Sequence, residues 1–392
     1  MRVVGLRDTA MEDAHAHILS LGEASDSQRT SFFAVYDGHG GSTVARYAGD
    51  TVHSRLSANE PFKRKDFEAA LKRAFLDTDV DLRANPDFRG DPSGCTAVAT
   101  VITDNLRIIC ANAGDSRAVL SLGGEAKPLS FDHKPTNKSE TSRIVAAGGF
   151  VEFGRVNGNL ALSRALGDFE FKQSTHLDPE HQIVTADPDI TVHEHDENDE
   201  FIVIACDGIW DVLSSQQVID YVRLSISEGK PLQTITEDLM DRCLAPDSDW
   251  GGVGCDNMTA MIVAIKGDRT MDEWYEWIKG RVESGKPYET PKDLIDPFSQ
   301  SNGPRGPMGA AGRAGSGGIT GFVGGRTGED DDGEEEDEIH LPTIQAALKA
   351  RMAELERQHQ DEQEQDQEQE DQEMQDEQAE PPKTSHSAPE TL

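Results

Sequence analysis

Residues 30–41 are TSFFAVYDGHGG, an apolar run that ends in an acidic, glycine-rich turn. Phe and Val favour strands, and a short apolar run bounded by glycine is typical of a strand buried on both faces. A carboxylate directly after such a strand, as at Asp37, is costly because a charge that leaves water needs a partner. The stretch therefore predicts a buried strand that carries Asp37 to a polar site at the end of a sheet.

Three further segments place acids where turns are expected. They are MEDAH at 11–15, ACDGIWD at 205–211 and GCDNM at 254–258. A single Asp-Gly pair is a common turn, so one such segment alone is more simply explained as a turn. Four of them beside core strands predict several carboxylates at one end of the sheets. Like charges held that close together need cations.

The residue types at these turns indicate which cation would bind. Carboxylate and carbonyl oxygens without His or thiolate partners suit Mg²⁺ or Mn²⁺ and do not suit zinc. The glycine that follows Asp37 and Asp207 lets the backbone approach closely and offer a carbonyl as a ligand. A pair of such ions can lower the pKa of a shared water and hold the oxygens of a phosphoryl group. The pattern indicates a hydrolase with two divalent ions.

A change in composition near residue 267 divides the chain into three regions. Residues 1–267 mix apolar runs with glycine and balanced charge, as a domain with a core does. Residues 268–300 are predicted to be a helical extension, and 301–392 a glycine-rich linker with an acidic, Gln/Glu-rich disordered tail. From Glu329 to Glu380 about 22 acids face 3 bases, which accounts for roughly half of the net charge of −36.

The composition also excludes some classes of partner. Acidic runs repel phosphate backbones, so no nucleic acid is expected as a ligand, whereas basic proteins suit the tail as partners. No stretch approaches the roughly 20 apolar residues of a membrane span. The five cysteines are odd in number and have no CxxC spacing. They predict reduced thiols in a cytoplasmic or nuclear protein, which we expect to be a monomer.

Hydrophobic periodicity predicts the main elements. Strands are expected at 30–36, 95–102, 106–111, 118–122 and 201–205, and helices at 42–56, 66–83, 138–147, 215–227 and 271–282. Asn112-Ala-Gly-Asp115, between two of these strands, predicts a hairpin turn. The pattern indicates an α+β fold with antiparallel sheets inside and helices outside. For the helix at 271–282, both docking on the core and a free linker stay open.

Eight motifs together carry a family resemblance. They are MEDAH (11–15), YDGHGG (36–41), SGCTA (93–97), NAGDSR (112–117), DHKP (132–135), RVNGNLALSRALGD (155–168), CDGIWD (206–211) and GCDNMT (254–259). In this order, over about residues 7–266, they resemble the eukaryotic protein phosphatase 2C (PP2C) family. The helix that follows resembles the extension of the fungal members. The resemblance implies a metal-dependent serine/threonine protein phosphatase with a four-layer α-β-β-α sandwich around two central antiparallel sheets.

The resemblance also implies a set of metal ligands. Asp37 would bridge two ions of Mg²⁺ or Mn²⁺, and Asp207 and Asp256 would complete one site. Glu12 and the carbonyl of Gly38 would complete the other.

Three more acids are expected around these ligands. Asp13 would orient metal-bound water, and Asp132 matches the position of a weaker third ion. Asp211 would contribute to that third ion or support the ligands from behind. His133 is expected to orient Asp132.

The chemistry also needs a proton donor and a group that binds phosphate. His39 stands in the same turn as Asp37 and has a side chain suited to proton transfer near neutral pH, so we expect it to be the general acid. Arg7 is the candidate for phosphate binding. Arg164 and Asp168 are expected to form a structural ion pair, and a flap at about 140–183 to influence which phosphoproteins fit.

The predicted function is hydrolysis of phosphoserine and phosphothreonine in proteins by a water that two metal ions activate. One alternative is a catalytically inactive PP2C-like scaffold that binds partners through its acidic tail. Another is a two-metal hydrolase of small phosphate esters. In the family, a strand ending in an Arg precedes the MEDAH segment, and that Arg stands four residues before the metal-binding Glu. Here Arg7 stands five residues before Glu12, so we expect an upstream segment to be missing.

Overall fold

The computed structural model describes residues 11–22, 29–246 and 252–299. The predictions for Arg7, for the segment before Met11 and for residues 301–392 lie outside these ranges. No helix among the described residues is both long enough and apolar enough to cross a membrane.

Strands and helices come mostly in groups along the described chain. The strands are β1 (Ala14–Ile18), β2 (Ser31–Tyr36), β3 (Gly38–His39), β4 (Gly94–Cys95), β5 (Ala97–Ile102), β6 (Ile108–Ala113), β7 (Arg117–Leu122), β8 (Glu125–Pro128), β9 (Val151–Glu152), β10 (Arg155–Val156), β11 (Leu166–Gly167), β12 (Asp189–His193), β13 (Asp199–Ala205) and β14 (Ala260–Ala264). The helices are α1 (Thr43–Ala58), α2 (Glu60–Lys63), α3 (Phe67–Ala84), α4 (Lys138–Ala146), α5 (Asp207–Trp210), α6 (Ser215–Ser227), α7 (Leu232–Cys243) and α8 (Met271–Ser284).

Two main sheets hold most of the strands. One has the order β1-β2-β5-β6-β12 and the other β14-β13-β7-β8. Every pairing within them is antiparallel. Small sheets form from β11-β4-β3 and from β10-β9. The mixture of helices and antiparallel sheets confirms the predicted α+β class.

The predicted hairpin at Asn112–Asp115 is wrong. The two strands that flank it do not pair: β6 pairs with β5 and β12, whereas β7 pairs with β13 and β8. The segment instead takes the chain from one sheet to the other. Gly114 makes the crossing with φ of +129°, and a Cβ there would lie 2.5 Å from the Cβ of Thr96. A short Gly-Asp connection marks a sharp change of direction, but it does not specify the partner of the next strand.

Alternating side chains of the central strands enter different hydrophobic clusters, as the two faces of a strand require. In β2, Phe32 and Ala34 pack in a cluster with α1 and α3. Phe33 and Val35 pack in a second cluster with residues of the other sheet, including Leu120. The two faces of β13 also enter different clusters. One face packs in the second cluster, and the other packs in a third cluster with α6, α7 and α8.

Helix α8 docks on the core, so the docked alternative is the one that the structure shows. Its N-terminus is a capping box in which the Thr270 hydroxyl accepts from the Glu273 amide (3.2 Å) and the Thr270 amide donates to the Glu273 carboxylate (2.8 Å). Trp274 is fully buried, and its indole N–H donates to the Glu200 carbonyl (3.0 Å). A buried indole that keeps a partner anchors the helix.

Candidate metal centre

Asp37 follows β2 directly, as the sequence predicted, and a tight backbone approach fixes its turn. Its carbonyl accepts a hydrogen bond from the Thr96 amide (2.9 Å). At the next residue, a Cβ on Gly38 would lie 2.2 Å from the Glu12 carbonyl oxygen. No side chain fits there, so glycine at 38 allows the strand that carries Asp37 to lie against the segment that carries Glu12.

Asp207 and Asp256 come from segments held together in the same way. Asp207 begins α5, just after β13. A Cβ on the following Gly208 would lie 2.2 Å from the carbonyl oxygen of Asn257, the neighbour of Asp256. The Asn257 side chain in turn accepts from the Glu12 amide (2.8 Å). The structure therefore brings the segments of Glu12, Asp37, Asp207 and Asp256 together.

Asp13 lies behind these segments. One of its carboxylate oxygens accepts from the Thr259 hydroxyl (2.7 Å), and the other, Oδ1, is buried with no hydrogen-bond partner. Burial raises the pKa of Asp13 against the opposing effect of the Thr259 hydrogen bond. A buried oxygen without a partner points to a ligand, such as a water or an ion, beside Asp13.

The clustered acids repel one another when ionised. Burial first, and then the charges of Asp207 and Asp13, raise the pKa of Asp37 well above its ordinary range. Burial with the charges of Asp115, Asp211 and Asp256 raises the pKa of Asp207 to about 8. In the absence of a cation, protons must occupy part of the cluster at neutral pH, because carboxylates this close cannot all be charged.

The donor set fits hard divalent cations. Within the described ranges, no group of three or more histidines, cysteines, aspartates or glutamates is arranged so that it could hold a metal ion. What fits is the chemistry: the donors are carboxylate and carbonyl oxygens, which Mg²⁺ and Mn²⁺ prefer. A cation also relieves the repulsion that raises the pKa values of Asp37 and Asp207.

Asp115 is a member of the cluster to which the sequence analysis gave no role. It is almost fully buried and forms an ion pair with Lys134. Asp132, the acid expected at the weaker third ion, is bound by Arg117, whose Nε and Nη2 donate to its two oxygens (2.6 and 2.8 Å). After burial, the charge of Asp115 has the largest effect on the pKa of Asp207. Asp115 could have been predicted from the sequence, because it follows the apolar strand β6 after one glycine, much as Asp37 follows β2.

His39 lies beside an acid that the sequence analysis paired differently. Its Nε2 is 2.8 Å from Oδ2 of Asp168, and a Cβ on Gly94 would strike both groups. Burial lowers the pKa of His39, but the hydrogen bond to Asp168 and its charge outweigh burial, so the pKa is raised. The predicted ion pair of Arg164 with Asp168 is wrong, since Arg164 binds Glu140 (2.7 Å) and Asp189 (2.6 Å).

His133 does not orient Asp132 as expected. Its Nδ1 accepts from the Gly114 amide (3.2 Å), and its Nε2 lies 3.1 Å from the Asp189 carboxylate. The side chain thus joins β12 to the connection between the two sheets.

The region predicted as a flap has a small core of its own. Its buried members are Ile144, Val156, Ala165, Phe171 and Val184. Glu140 lies on α4 and is almost fully buried. Its carboxylate accepts hydrogen bonds from the side chains of Arg143 (2.6 Å), Arg164 (2.7 Å) and Ser163 (2.7 Å). These ion pairs and hydrogen bonds lower the pKa of Glu140 to about 2, although burial opposes them.

Buried carboxylates gathered at the ends of antiparallel strands are typical of a class of metal-dependent hydrolases, and comparison with known proteins gives the family. The family model of protein phosphatase 2C matches residues 4–249. Protein phosphatase 2C homolog 2 of Aspergillus fumigatus is 55% identical over 285 residues, covering 70% of this chain and 66% of the relative. Its namesake in Schizosaccharomyces pombe is 52% identical over 278 residues, covering 71% and 75%.

A solved structure agrees. The crystal structure of a phosphatase from Toxoplasma gondii superposes with a TM-score of 0.57 at 26% identity, covering 69% of this chain and 93% of that one. The chain belongs to the protein phosphatase 2C family, which is metal-dependent and hydrolyses phosphoserine and phosphothreonine. The predicted family is thereby confirmed. The chain spans about two thirds of the length of the Aspergillus fumigatus relative.

Proposed function

We propose that this protein removes phosphate from serine and threonine residues of phosphoproteins, using a water activated by two Mg²⁺ or Mn²⁺ ions. One observation carries the proposal. In a chain of the PP2C family, burial and mutual repulsion raise the pKa values of Asp37 and Asp207, so the site gains from binding cations.

The ligand assignment follows the resemblance. Asp37, Asp207 and Asp256 would hold one ion, and Asp37, Glu12 and the Gly38 carbonyl would hold the other. When bound, such a pair supplies a water of lowered pKa and positive charge for the phosphoryl oxygens.

The surrounding acids take supporting roles. Asp13 is fixed by Thr259, and its unpartnered oxygen is suited to orienting water. We assign the weaker third site to Asp132, whose two oxygens here accept from Arg117, with Asp211 in that site or behind the ligands.

The chain's own side chains handle the proton and the leaving group. His39 donates a proton to the serine or threonine oxygen as its bond to phosphorus breaks, since an alkoxide is a poor leaving group. Asp168 holds the ring of His39 and favours its charged form. Arg7 is assigned to phosphate binding from the sequence pattern.

The finer architecture and the cellular setting are also proposals. The three hydrophobic clusters support the layer order α-β-β-α, with one cluster between the sheets and one beneath the helices on each side. Five free, buried cysteines support a reducing compartment, cytoplasmic or nuclear. We propose a monomer whose acidic tail binds basic proteins. No observation favours the inactive scaffold.

The test is release of phosphate from phosphothreonine and phosphoserine peptides by the full chain. We expect turnover with Mn²⁺ or Mg²⁺, its loss on adding a chelator, and its return with excess metal. Turnover that persists in chelator would refute the metal mechanism. Metal binding without turnover on any phosphopeptide would favour the scaffold, and turnover of small phosphate esters alone would favour the third alternative.

A further inference from the structure

The segment after α8, residues 286–299, folds back over the domain, and we call it the strap. Its first anchor is Arg223 of α6, whose side chain is fully buried. Nη1 of Arg223 donates to the Tyr288 carbonyl (3.1 Å) and to the Thr290 hydroxyl (2.6 Å). Because a buried guanidinium needs partners for its donors, the strap completes the solvation of this charge.

The same anchor reaches the four-stranded sheet. Arg223 pairs with the fully buried Glu200 on β13 (3.0 Å), and Arg281 of α8 binds the same carboxylate (3.2 Å). A Cβ on Gly124 would lie 2.6 Å from Nη1 of Arg223 and 2.8 Å from the Tyr288 ring. The strap is therefore packed on the sheet with no spare room at this end.

The far end of the strap reaches the loop that carries Asp256. A Cβ on Gly254 would lie 2.7 Å from Cζ of Phe298 on one side and 2.7 Å from the Cys243 carbonyl on another. The Gly254 carbonyl accepts from the Ala245 amide (2.9 Å), and φ at Gly254 is +73°. The loop is thus confined between the end of α7 and the ring of Phe298, two residues before Asp256.

We propose that Phe298 is a positioning residue for the metal centre: the strap presses its ring against Gly254 and so holds the loop of Asp256 in place for the cations. The inference rests on the proposed function, because Asp256 is a metal ligand only there. Groups that orient ligands from behind tune metal affinity without touching the metal. In this arrangement the strap influences the metal centre through the contact of Phe298 with Gly254.

The test is Mn²⁺ binding to the full chain, measured by titration calorimetry and by the rise in Tm that Mn²⁺ produces. We expect Phe298→Ala to weaken Mn²⁺ binding by about tenfold, the lower end of the range for lost supporting groups. Phe298→Leu, which keeps apolar bulk, should restore part of the affinity. The Mn²⁺ concentration that gives half-maximal turnover of phosphothreonine peptide should rise to a similar extent.

Ile295→Ala is the matched control, since this side chain lies on the same strap but is 59% exposed. It should bind Mn²⁺ like the wild type. Wild-type affinity in Phe298→Ala overturns the proposal. If that variant does not fold, Phe298→Leu is compared with Ile295→Ala, and equal affinity in the two overturns it. No Mn²⁺ binding by the wild type would instead refute the proposed function itself.

Discussion

Substitution of the proposed ligand carboxylates should affect the chemistry most directly. We predict that Asp207→Asn and Asp256→Asn each lower metal-dependent turnover at least about a hundredfold, the scale for losing one electrostatic group in an active site. Both proteins should stay folded, because the change removes charge and keeps shape. Phosphate release with Mn²⁺, beside circular dichroism, measures both effects. A near-normal rate in either variant would remove that residue from the ligand set.

The same cluster predicts how the metal-free protein responds to pH. The pKa of Asp207 is about 8 when folded and 3.8 ordinarily, so between these pH values the folded state holds a proton that the unfolded state has lost. The free energy of unfolding in chelator should then fall as pH rises, on the order of 1 kcal/mol or more from pH 6 to 8. Urea unfolding measures this fall.

Bound Mg²⁺ should remove most of this pH dependence, because the cation replaces the protons. Asp207→Asn, which has no proton to lose at position 207, should weaken the pH dependence without metal, and Asp37, whose pKa is also raised, should retain part of it. If the wild type in chelator were equally stable at pH 6 and 8, the crowding of charges described here would be wrong.

His39 and Asp168 predict a dependence on the leaving group. His39→Gln should slow hydrolysis of phosphoserine peptides far more than that of aryl phosphates, since a good leaving group needs little protonation. Asp168→Asn should do the same to a smaller extent, because Asn still accepts from the ring but lacks the charge. Rates on both substrates give the comparison. Equal losses on the two substrates would remove His39 from the acid role and Asp168 with it.

Local sequence pattern was sufficient to predict which acids follow buried strands, but it was insufficient to predict the hydrogen-bond partners of the site residues. An Asp that ends an apolar run, as at 37 and 207, is recognisable within ten residues of sequence. The contact between His39 and Asp168 joins positions 129 apart. Nothing in the RALGD motif shows whether its acid faces Arg164 or the histidine. The contact depends on Gly94, because a Cβ there would lie 2.2 Å from Oδ2 of Asp168 and 2.7 Å from Nε2 of His39.

At the scale of elements, Glu140 connects α4 to the segment that follows the β9-β10 pair, through Ser163 and Arg164. We predict that Glu140→Gln lowers the free energy of unfolding at pH 7 by about 3 kcal/mol, because it leaves Arg143 and Arg164 without a buried counter-charge. The folded pKa of Glu140, about 2, lies below its ordinary 4.5, so this stabilisation is full above pH 4.5 and is lost towards pH 2. The difference in the free energy of unfolding between Glu140→Gln and the wild type should therefore become smaller as the pH falls from 4.5 to 2.

Urea unfolding at several pH values measures the effect of Glu140. Glu60→Gln is the control, since its ion pair with Lys63 is exposed, and it should leave stability unchanged. If the two variants were equally stable, the buried ion-pair network would have no part in holding the flap.

Long periodic elements were predictable, whereas their pairing was not. The helix over 215–227 lies where the pattern put it, and the strand predicted at 201–205 extends to Asp199–Ala205. The strands at 14–18 and 189–193 and the helix at 232–243 were missed, because their apolar residues are fewer and more mixed with polar ones. The step from β6 to β7 between two sheets depends on long-range packing, which turn chemistry at 112–115 does not encode.

At the scale of the whole molecule, the proposed ligands that the structure describes span positions 12 to 256, and the strap at 286–299 follows α8. Two truncations should therefore differ. Deletion of 301–392 removes nearly half of the net negative charge but none of the described contacts. It should leave turnover of phosphothreonine peptides and Mn²⁺ affinity unchanged.

Deletion of 286–392 also removes the acceptors at Tyr288 and Thr290, which leaves Arg223 partly unpaired, and it removes Phe298 from Gly254. Thermal unfolding should then occur at lower temperature, and Mn²⁺ should bind more weakly than in the shorter deletion. Tm in chelator, calorimetric Mn²⁺ titration and peptide turnover on the two proteins give the comparison. Loss of peptide turnover in the shorter deletion would show that residues beyond 300 contribute to the site. Equal Mn²⁺ affinity in the two truncated proteins would show that the strap does not influence the metal centre.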